Sequence, residues 1–406
     1  MINPSTRPSV LRANFRNLYA DVFWYGVLAG SAIAFLSVYA ARLNASGFQI
    51  SLITGGPAVV NLIMSLPAVR WIESRSLIRT AFNTAVAHRI GYFVLIPLPW
   101  LLTQVGQVWA IVVLTLLIAF PGTLLAISFN SMFAEVVPSR WRAEVVGRRN
   151  ALVSISMTVA TFLCGILLDR VVFPLNYQIV FGIGAVGAAM STYHLGRITP
   201  LASPMGAAAP TPQLPVANHR PLIRLDLLRS AFGPLLLAYF CFYASQHIPV
   251  PINPLFWVQV LHLTDGEIGA GNAMFYAMMT VASMVLPRLT ARYGHRKILV
   301  VGALFYGIYP LLTSLAWDSK LFWAASITGG AVWGITNAGL LNRLMERVPA
   351  GDRPAHMAWH NVAFNLGILS GSLFGAGLGG SMGMRYGLLT AAALRFASGI
   401  ALLLWA

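Results

Sequence analysis

Long apolar runs, most near 20 residues, follow one another along the whole chain with short polar stretches between them. As helices, runs of that length cross a hydrocarbon layer of roughly 30 Å. A membrane β-barrel would show shorter segments alternating residue by residue, a pattern this chain lacks. The apolar runs predict twelve helices, at 19–42, 48–70, 77–101, 105–130, 149–170, 176–197, 230–261, 267–288, 297–316, 320–343, 356–380 and 385–405. The seventh contains HIPVPINP over 247–254, which predicts a kinked or unwound outer end, because proline withholds a backbone donor.

A turn occurs twice. EVVPSRWRAEVVGRRN (135–150) and ERVPAGDRPAHMAWHN (346–361) share Glu135/Glu346, Val137/Val348, Pro138/Pro349, Arg142/Arg353 and Asn150/Asn361 at an offset of 211. Self-similarity at a fixed offset marks an internal repeat. Two further pairs agree with it. Ser46 with Gln49 and Thr264 with Glu267 read as capping boxes opening the second helix of each half, and Leu66-Pro67 and Leu286-Pro287 are expected to end those helices. The fold class expected is therefore an all-α polytopic membrane protein of two six-helix bundles.

Composition narrows the class. Hydrophobic residues make up 57% of the 406 and charged residues 9%, with a mean hydropathy of +0.72. A soluble domain carries about a quarter charged residues, so a lipid bilayer is the expected surroundings. The net charge of +16 does not point to nucleic acid. With the N-terminus placed inside, 21 of the 27 basic residues fall in inner segments, the distribution of a cell-membrane protein with both termini cytoplasmic. Pro200, Pro204, Pro210, Pro212, Pro215 and Pro221 mark a cytoplasmic linker, so the expected domains are 1–197 and 230–406, joined by 198–229. The polar, basic start predicts no cleavable leader. Cys164 and Cys241 lie in apolar runs, so no disulfide framework, metal site or cofactor is expected.

After Pro287 the chain reads RLTARYGHRK, in which Arg292, Gly294, Arg296 and Lys297 resemble the loop signature of the major facilitator superfamily. Ala291 stands where that family has its acid, and Pro287 where it has its first glycine. The first-half counterpart, PAVRWIESRSLIR, keeps Arg70, Arg75 and Arg79 but neither the glycine nor the acid. The resemblance implies two bundles around a central cavity lined by the first, fourth, seventh and tenth helices, with alternating access by rocking of the halves. The fifth helix lacks the glycine-proline signature common in that superfamily's drug/proton antiporters, so no subfamily is assigned.

Ionisable groups at membrane depth are functional candidates by default. Asp21, on the first helix, is a candidate for carrying a coupling proton or binding a cationic group. His88 and Arg89 lie about ten residues into the third helix, on the order of 15 Å deep, and are candidates for an anionic substrate or a proton relay. Tyr239, Tyr243, Gln246 and His247 on the seventh helix form one stripe. Ser326, Gly330, Trp333 and Asn337 on the tenth form another. With Trp24, Tyr25 and Asn130 on the first and fourth helices, these are expected to line the cavity. An aromatic and amide lining suits an amphipathic organic molecule. Arg395 is expected to pack or snorkel, and Asp169-Arg170 to form an interfacial pair. Glu135, Arg142, Glu346 and Arg353, with the 292–297 loop, are expected to act in gating.

These features favour a monomeric secondary transporter of a small organic solute, driven by a proton gradient or by the solute's own. No phosphate loop or catalytic motif is present, so neither direct ATP use nor an enzyme is expected. A non-transporting sensor or partner protein, and a flippase for lipids or lipid-linked solutes, remain alternatives.

Overall fold

The computed structural model describes residues 8–73, 75–201, 224–349 and 352–405. Most of the linker, with Pro204, Pro210, Pro212, Pro215 and Pro221, lies outside the described residues. Within them the chain is helical and antiparallel from rod to rod. We number the rods α1 (Pro8–Leu28, a π-helical turn Ala29–Ile33, then Ala34–Arg42), α2 (Gly47–Glu73), α3 (Leu77–Val94, with the short Leu98–Leu101), α4 (Gln104–Val136), α5 (Ser139–Arg170) and α6 (Leu175–Gly196). There follow α7 (Phe232–His247, Pro249–Leu255 and a π-helical Phe256–Val260), α8 (Asp265–Tyr293), α9 (His295–Phe305 and Ile308–Leu315), α10 (Ser319–Arg347), α11 (Arg353–Ser381) and α12 (Met384–Trp405). Ten of them are long and apolar enough to cross a membrane; α3 and α10 fall short by composition.

The face at which α1 begins and α12 ends is called here the terminal face, and its opposite the distal face. Both capping boxes form at the distal face. Ser46 N donates to Gln49 Oε1 at 2.8 Å and Gln49 N to Ser46 Oγ at 3.2 Å. Thr264 and Glu267 make the same exchange at 3.0 and 3.2 Å. Side-chain oxygens thereby satisfy amides that the first helical turn leaves free. The expectation that Pro67 and Pro287 end their helices is overturned, since both lie inside helices that run on to Glu73 and Tyr293. At membrane depth, neighbouring helices support the backbone around a proline.

Helices without a hydrophobic drive to associate approach through small residues. A Cβ on Gly26 or Gly30 of α1 would run into α5, on Val153 and Met157 carbonyls at 2.8 and 2.4 Å. In the second half, Gly367, Gly371 and Gly375 of α11 give α7 the same closeness. The halves meet at the distal end. A Cβ on Gly269 of α8 would lie 2.8 Å from the Gly165 Cα of α5, and one on Gly55 of α2 would lie 2.7 Å from the Ser372 Cβ of α11.

The prolines of α7 neither unwind it nor leave it an unbroken helix. The helix is interrupted at Ile248, and a π-helical turn at Phe256–Val260 follows. Pro249 offers no amide to the Ser245 carbonyl four residues back. Arg395 of α12 supplies the missing donors: Nε to Ser245 O at 3.3 Å, Nη2 to Gln246 O at 2.7 Å and Nη1 to Tyr306 O at 3.4 Å. Its guanidinium also lies 4.2 Å from the centre of the Tyr306 ring. Packing, the expected role, is thus joined by repair of a proline break. Arg395→Met is expected to strip buried carbonyls of their donor at about 1–3 kcal/mol each and to lower the thermal unfolding midpoint in detergent. Arg395→Lys should recover only part, because an ammonium cannot span three carbonyls. A midpoint unchanged in Arg395→Met would refute this account.

Candidate functional site

A cavity of about 650 Å3 lies between the halves, on the terminal side of the distal seal. Its walls come from α1 (Asp21, Val22, Tyr25), α2 (Pro57, Asn61, Ser65), α3 (His88, Arg89), the 119–130 stretch of α4, α5 (Arg149) and α11 (Asn361, Phe364, Asn365). The lining deepens from exposed Asn130 and Asn361 to buried Asp21, Arg89 and Asn365. This volume falls within the range of sites that enclose small molecules.

The floor is a charge cluster. Asp21 Oδ1 accepts from Ser191 Oγ of α6 at 2.6 Å and from Arg89 Nη2 at 3.3 Å, and its Oδ2 lies 3.5 Å from Arg149 Nη2. Arg89 also donates through Nη1 to Thr192 Oγ1 at 3.1 Å. Arg149 sits 4.5 Å over the Phe129 ring. Four helices therefore converge on one carboxylate, and two guanidinium groups, that of Arg89 buried and that of Arg149 half-buried, face a single acid. The Nε atoms of both arginines and Asn365 Oδ1 are buried without a protein partner. Around the cluster, His88 Nδ1 donates to the Ile118 carbonyl at 2.9 Å, and Thr123 Oγ1 donates to Asn61 Oδ1 at 2.5 Å.

Of the residues singled out from sequence, Asp21, Tyr25, His88, Arg89 and Asn130 come together here. The α7 and α10 stripes lie elsewhere. Tyr239 is fully buried and donates to Leu340 O at 2.8 Å. Tyr243 OH meets His360 Nε2 at 2.9 Å, and His247 Nδ1 bonds the Tyr243 carbonyl at 2.8 Å. Gln246 serves Arg395 through its carbonyl, and Trp333 stacks on Tyr306 with ring centres 5.1 Å apart. Asn337 is exposed away from the cavity wall, and Trp24 packs edge-on against Phe23. The aromatic face of α7 is taken up by packing on α10 and α11, so the second half contributes α11 rather than α7 or α10 to this wall.

From sequence Arg149 stands at the very start of the fifth helix and is not singled out, but α5 starts ten residues earlier, and the helix carries Arg149 to Asp21. Asn361 and Asn365 were also missed, although their i, i+4 spacing and the match of Asn361 with Asn150 in the repeated turn offered a signal. In that turn Arg142 donates to the Val137 and Ala134 carbonyls at the end of α4, at 3.0 and 2.6 Å, while Glu135 is exposed. Glu346 pairs with Arg343 at 3.0 Å and lies 3.8 Å from His295. The Arg353 side chain lies outside the described residues. Gly294, between Arg292 and Arg296, has φ +79°, a conformation that strains any residue with a Cβ. Arg296 Nη2 donates to Leu403 O at 3.0 Å, and Lys297 is exposed.

At the distal seal, Arg42 donates to Asp265 Oδ1 at 3.1 Å and to Leu263 O at 2.6 Å. Asp169, expected to pair with Arg170, is turned toward the other half instead. It reaches across the halves and accepts from Thr264 Oγ1 at 2.8 Å and Gly266 N at 2.9 Å. Its charge thus sits at the positive end of α8. At the terminal face the end of the linker is docked as well. Arg224 bridges Asp226 at 2.6 Å and Asp352 at 3.2 Å, and its carbonyl accepts from Trp359 Nε1 at 3.0 Å. Hydrogen bonding from Arg224 holds the Asp226 carboxyl below its usual range.

Residues 235–406 match the family model described as Major Facilitator Superfamily. Over nearly the whole chain the fold follows the crystal structure of a bacterial homologue of the iron transporter ferroportin in an inward-facing state, with a TM-score of 0.73 at 13% identity, covering 97% of this chain and 98% of that one. The second half of the chain thus matches the major facilitator superfamily in sequence, and the whole chain shares the fold of that transporter structure. A second facilitator-fold structure, the nucleoside transporter NupG, aligns with a TM-score of 0.69 at 14% identity, covering 97% and 98% of the two chains. In sequence, the chain is 23% identical over 152 residues to Multidrug resistance protein 2 of Bacillus subtilis (strain 168), and 22% identical over 146 residues to Multidrug resistance protein 1 of the same organism. These matches span little more than a third of the length of either relative: 37% of the first and 36% of the second.

Removing one member of a buried ion cluster strands the others. Arg89→Met is expected to destabilise the protein by on the order of 3 kcal/mol, read as a lower unfolding midpoint in detergent. The double variant Asp21→Asn/Arg89→Met should melt closer to the parent than Arg89→Met alone. Additive losses in the double variant would mean that the two side chains do not interact.

Proposed function

We propose that this protein is a member of the major facilitator superfamily and a secondary transporter that carries a small polar organic solute through the cavity by alternating access. Residues 1–197 and 230–406 are the two moving bodies, with 198–229 joining them. The terminal face is cytoplasmic, in keeping with the basic residues gathered there. The solute's own gradient or a proton gradient drives the cycle, and Asp21, His88 and Arg89 are the groups placed to handle a proton.

The observation that carries this reading is the one-sided closure. A cavity with walls from both halves, apolar over much of its lining and charged at its floor, ends toward the distal face at a seal built from Arg42, Asp169, Thr264 and Asp265. That arrangement suits a state accessible from the terminal face. Its polar bonds are ionic or reach a helix end, so that, with the apolar side chains of both halves packed around them, they can be broken and remade as the halves rock. A stable sensor needs no cavity between its halves, and the charge cluster at the cavity floor fits a flippase for lipid tails poorly.

The test uses single cysteines in a protein with Cys164 and Cys241 replaced by alanine. A disulfide between Gly55→Cys and Ser372→Cys is expected to hold the distal side shut, leaving Asn361→Cys fully open to a membrane-impermeant maleimide. Asp169→Ala combined with Asp265→Ala should lower labelling of Asn361→Cys several-fold and raise that of Ser372→Cys, which is buried where the halves meet. Labelling of both sites that ignores the seal would sink the alternating-access proposal.

A further inference from the structure

We infer that the transported solute carries an oxyanion, a carboxylate or a phosphate monoester, received between Arg89 and Arg149. The inference deepens the proposed function and rests on the reading of this cavity as the solute's path. Four ionisable side chains other than tyrosine line the cavity: Asp21, His88, Arg89 and Arg149. His88 is already committed, through Nδ1, to the Ile118 carbonyl. That leaves one acid against two guanidinium groups, an excess of one positive charge in a buried position, where an uncompensated charge is costly.

The geometry shows where the compensating charge goes. Asp21 serves Arg89 and Ser191 with one oxygen and reaches Arg149 only at 3.5 Å with the other. Each arginine keeps a buried Nε without a protein acceptor. An arginine presents its donors as a planar fork that matches two oxygens of a carboxylate or phosphate. The Phe129 ring under Arg149, 4.5 Å away, fixes the plane of that fork. A cation entering the same floor would meet two like charges before its single partner. Asp21 is then a placeholder: it neutralises one guanidinium in the empty protein and leaves the other for the solute.

This arrangement makes opposite predictions for two substitutions in one cluster. The full-length protein in detergent is screened by thermal shift against small organic acids and phosphate monoesters, each alongside its uncharged amide or alcohol and its amine counterpart. Benzoate, benzamide and benzylamine form one such set; benzyl phosphate, benzyl alcohol and benzylamine form another. Stabilisation is expected from the anions alone, and affinity is expected to fall roughly ten- to hundredfold in Arg149→Gln. It should be unchanged in Arg148→Gln, whose arginine is exposed and paired with Glu144. Asp21→Asn, which removes the competing carboxylate, should bind the same anions several-fold more tightly. A merely structural cluster would lose affinity in both Arg149→Gln and Asp21→Asn.

Stabilisation by amines or uncharged members, the absence of any stabilising anion, or weaker anion binding in Asp21→Asn would each overturn the inference. The carboxylate and phosphate arms of the screen separate the two chemistries. Uptake into proteoliposomes separates this inference from the transport reading. Anions that bind without being carried would refute transport and leave the anion site standing; carriage of a cation or an uncharged compound would do the reverse.

Discussion

A carboxylate at membrane depth must find its counter-charges within the protein, because the surrounding lipid supplies none. Asp21 meets that demand by drawing α1, α3, α5 and α6 to one point, through Arg89, Arg149, Ser191 and, beyond them, Thr192. The close approach of α1 to α5 through Gly26 and Gly30 allows it, since larger side chains there would hold Arg149 away. The first half is thereby tied together by polar bonds at its centre. Its cavity wall is the exposed side of that same knot.

The second half solves a different problem with the same chemistry. Pro249 of α7 leaves the Ser245 carbonyl without its backbone donor, and Arg395 reaches from α12 to supply one while also bonding the Gln246 carbonyl. A buried guanidinium with carbonyl partners has no acid to balance it, so its value lies in the hydrogen bonds and the Tyr306 ring. The halves thus share a duplicated layout, but their buried arginines differ in role. One pair of arginines borders a path for solute, while the other half uses its arginine to keep a broken helix in place.

Where the halves touch, apolar closeness and reversible polar contacts are combined. Gly165 against Gly269 brings α5 and α8 nearly into backbone contact, and this places the Asp169 carboxylate within reach of the α8 amides. Thr264 does two things with one hydroxyl: it caps its own helix and donates across to Asp169. Loss of the seal therefore also loosens the start of α8, which couples the local stability of that helix to the separation of the halves.

Apolar periodicity and the repeated turn were sufficient to determine the helical membrane class, the approximate position of each rod and the two capping boxes, because each depends on residues close together in sequence. The cost of burying a charge was also readable, and it marked Asp21, His88 and Arg89 before any neighbour was known. What could not be read was which face of each rod looks inward. Apolar and aromatic residues suit lipid, a neighbouring helix and a cavity equally well, so the stripes of α7 and α10 gave no sign that packing would absorb them. The recruitment of Arg149, hidden beside loop arginines, and the pairing of Asp169 with a helix 95 residues away were decided by tertiary structure alone, since only packing brings together charges that sequence keeps far apart.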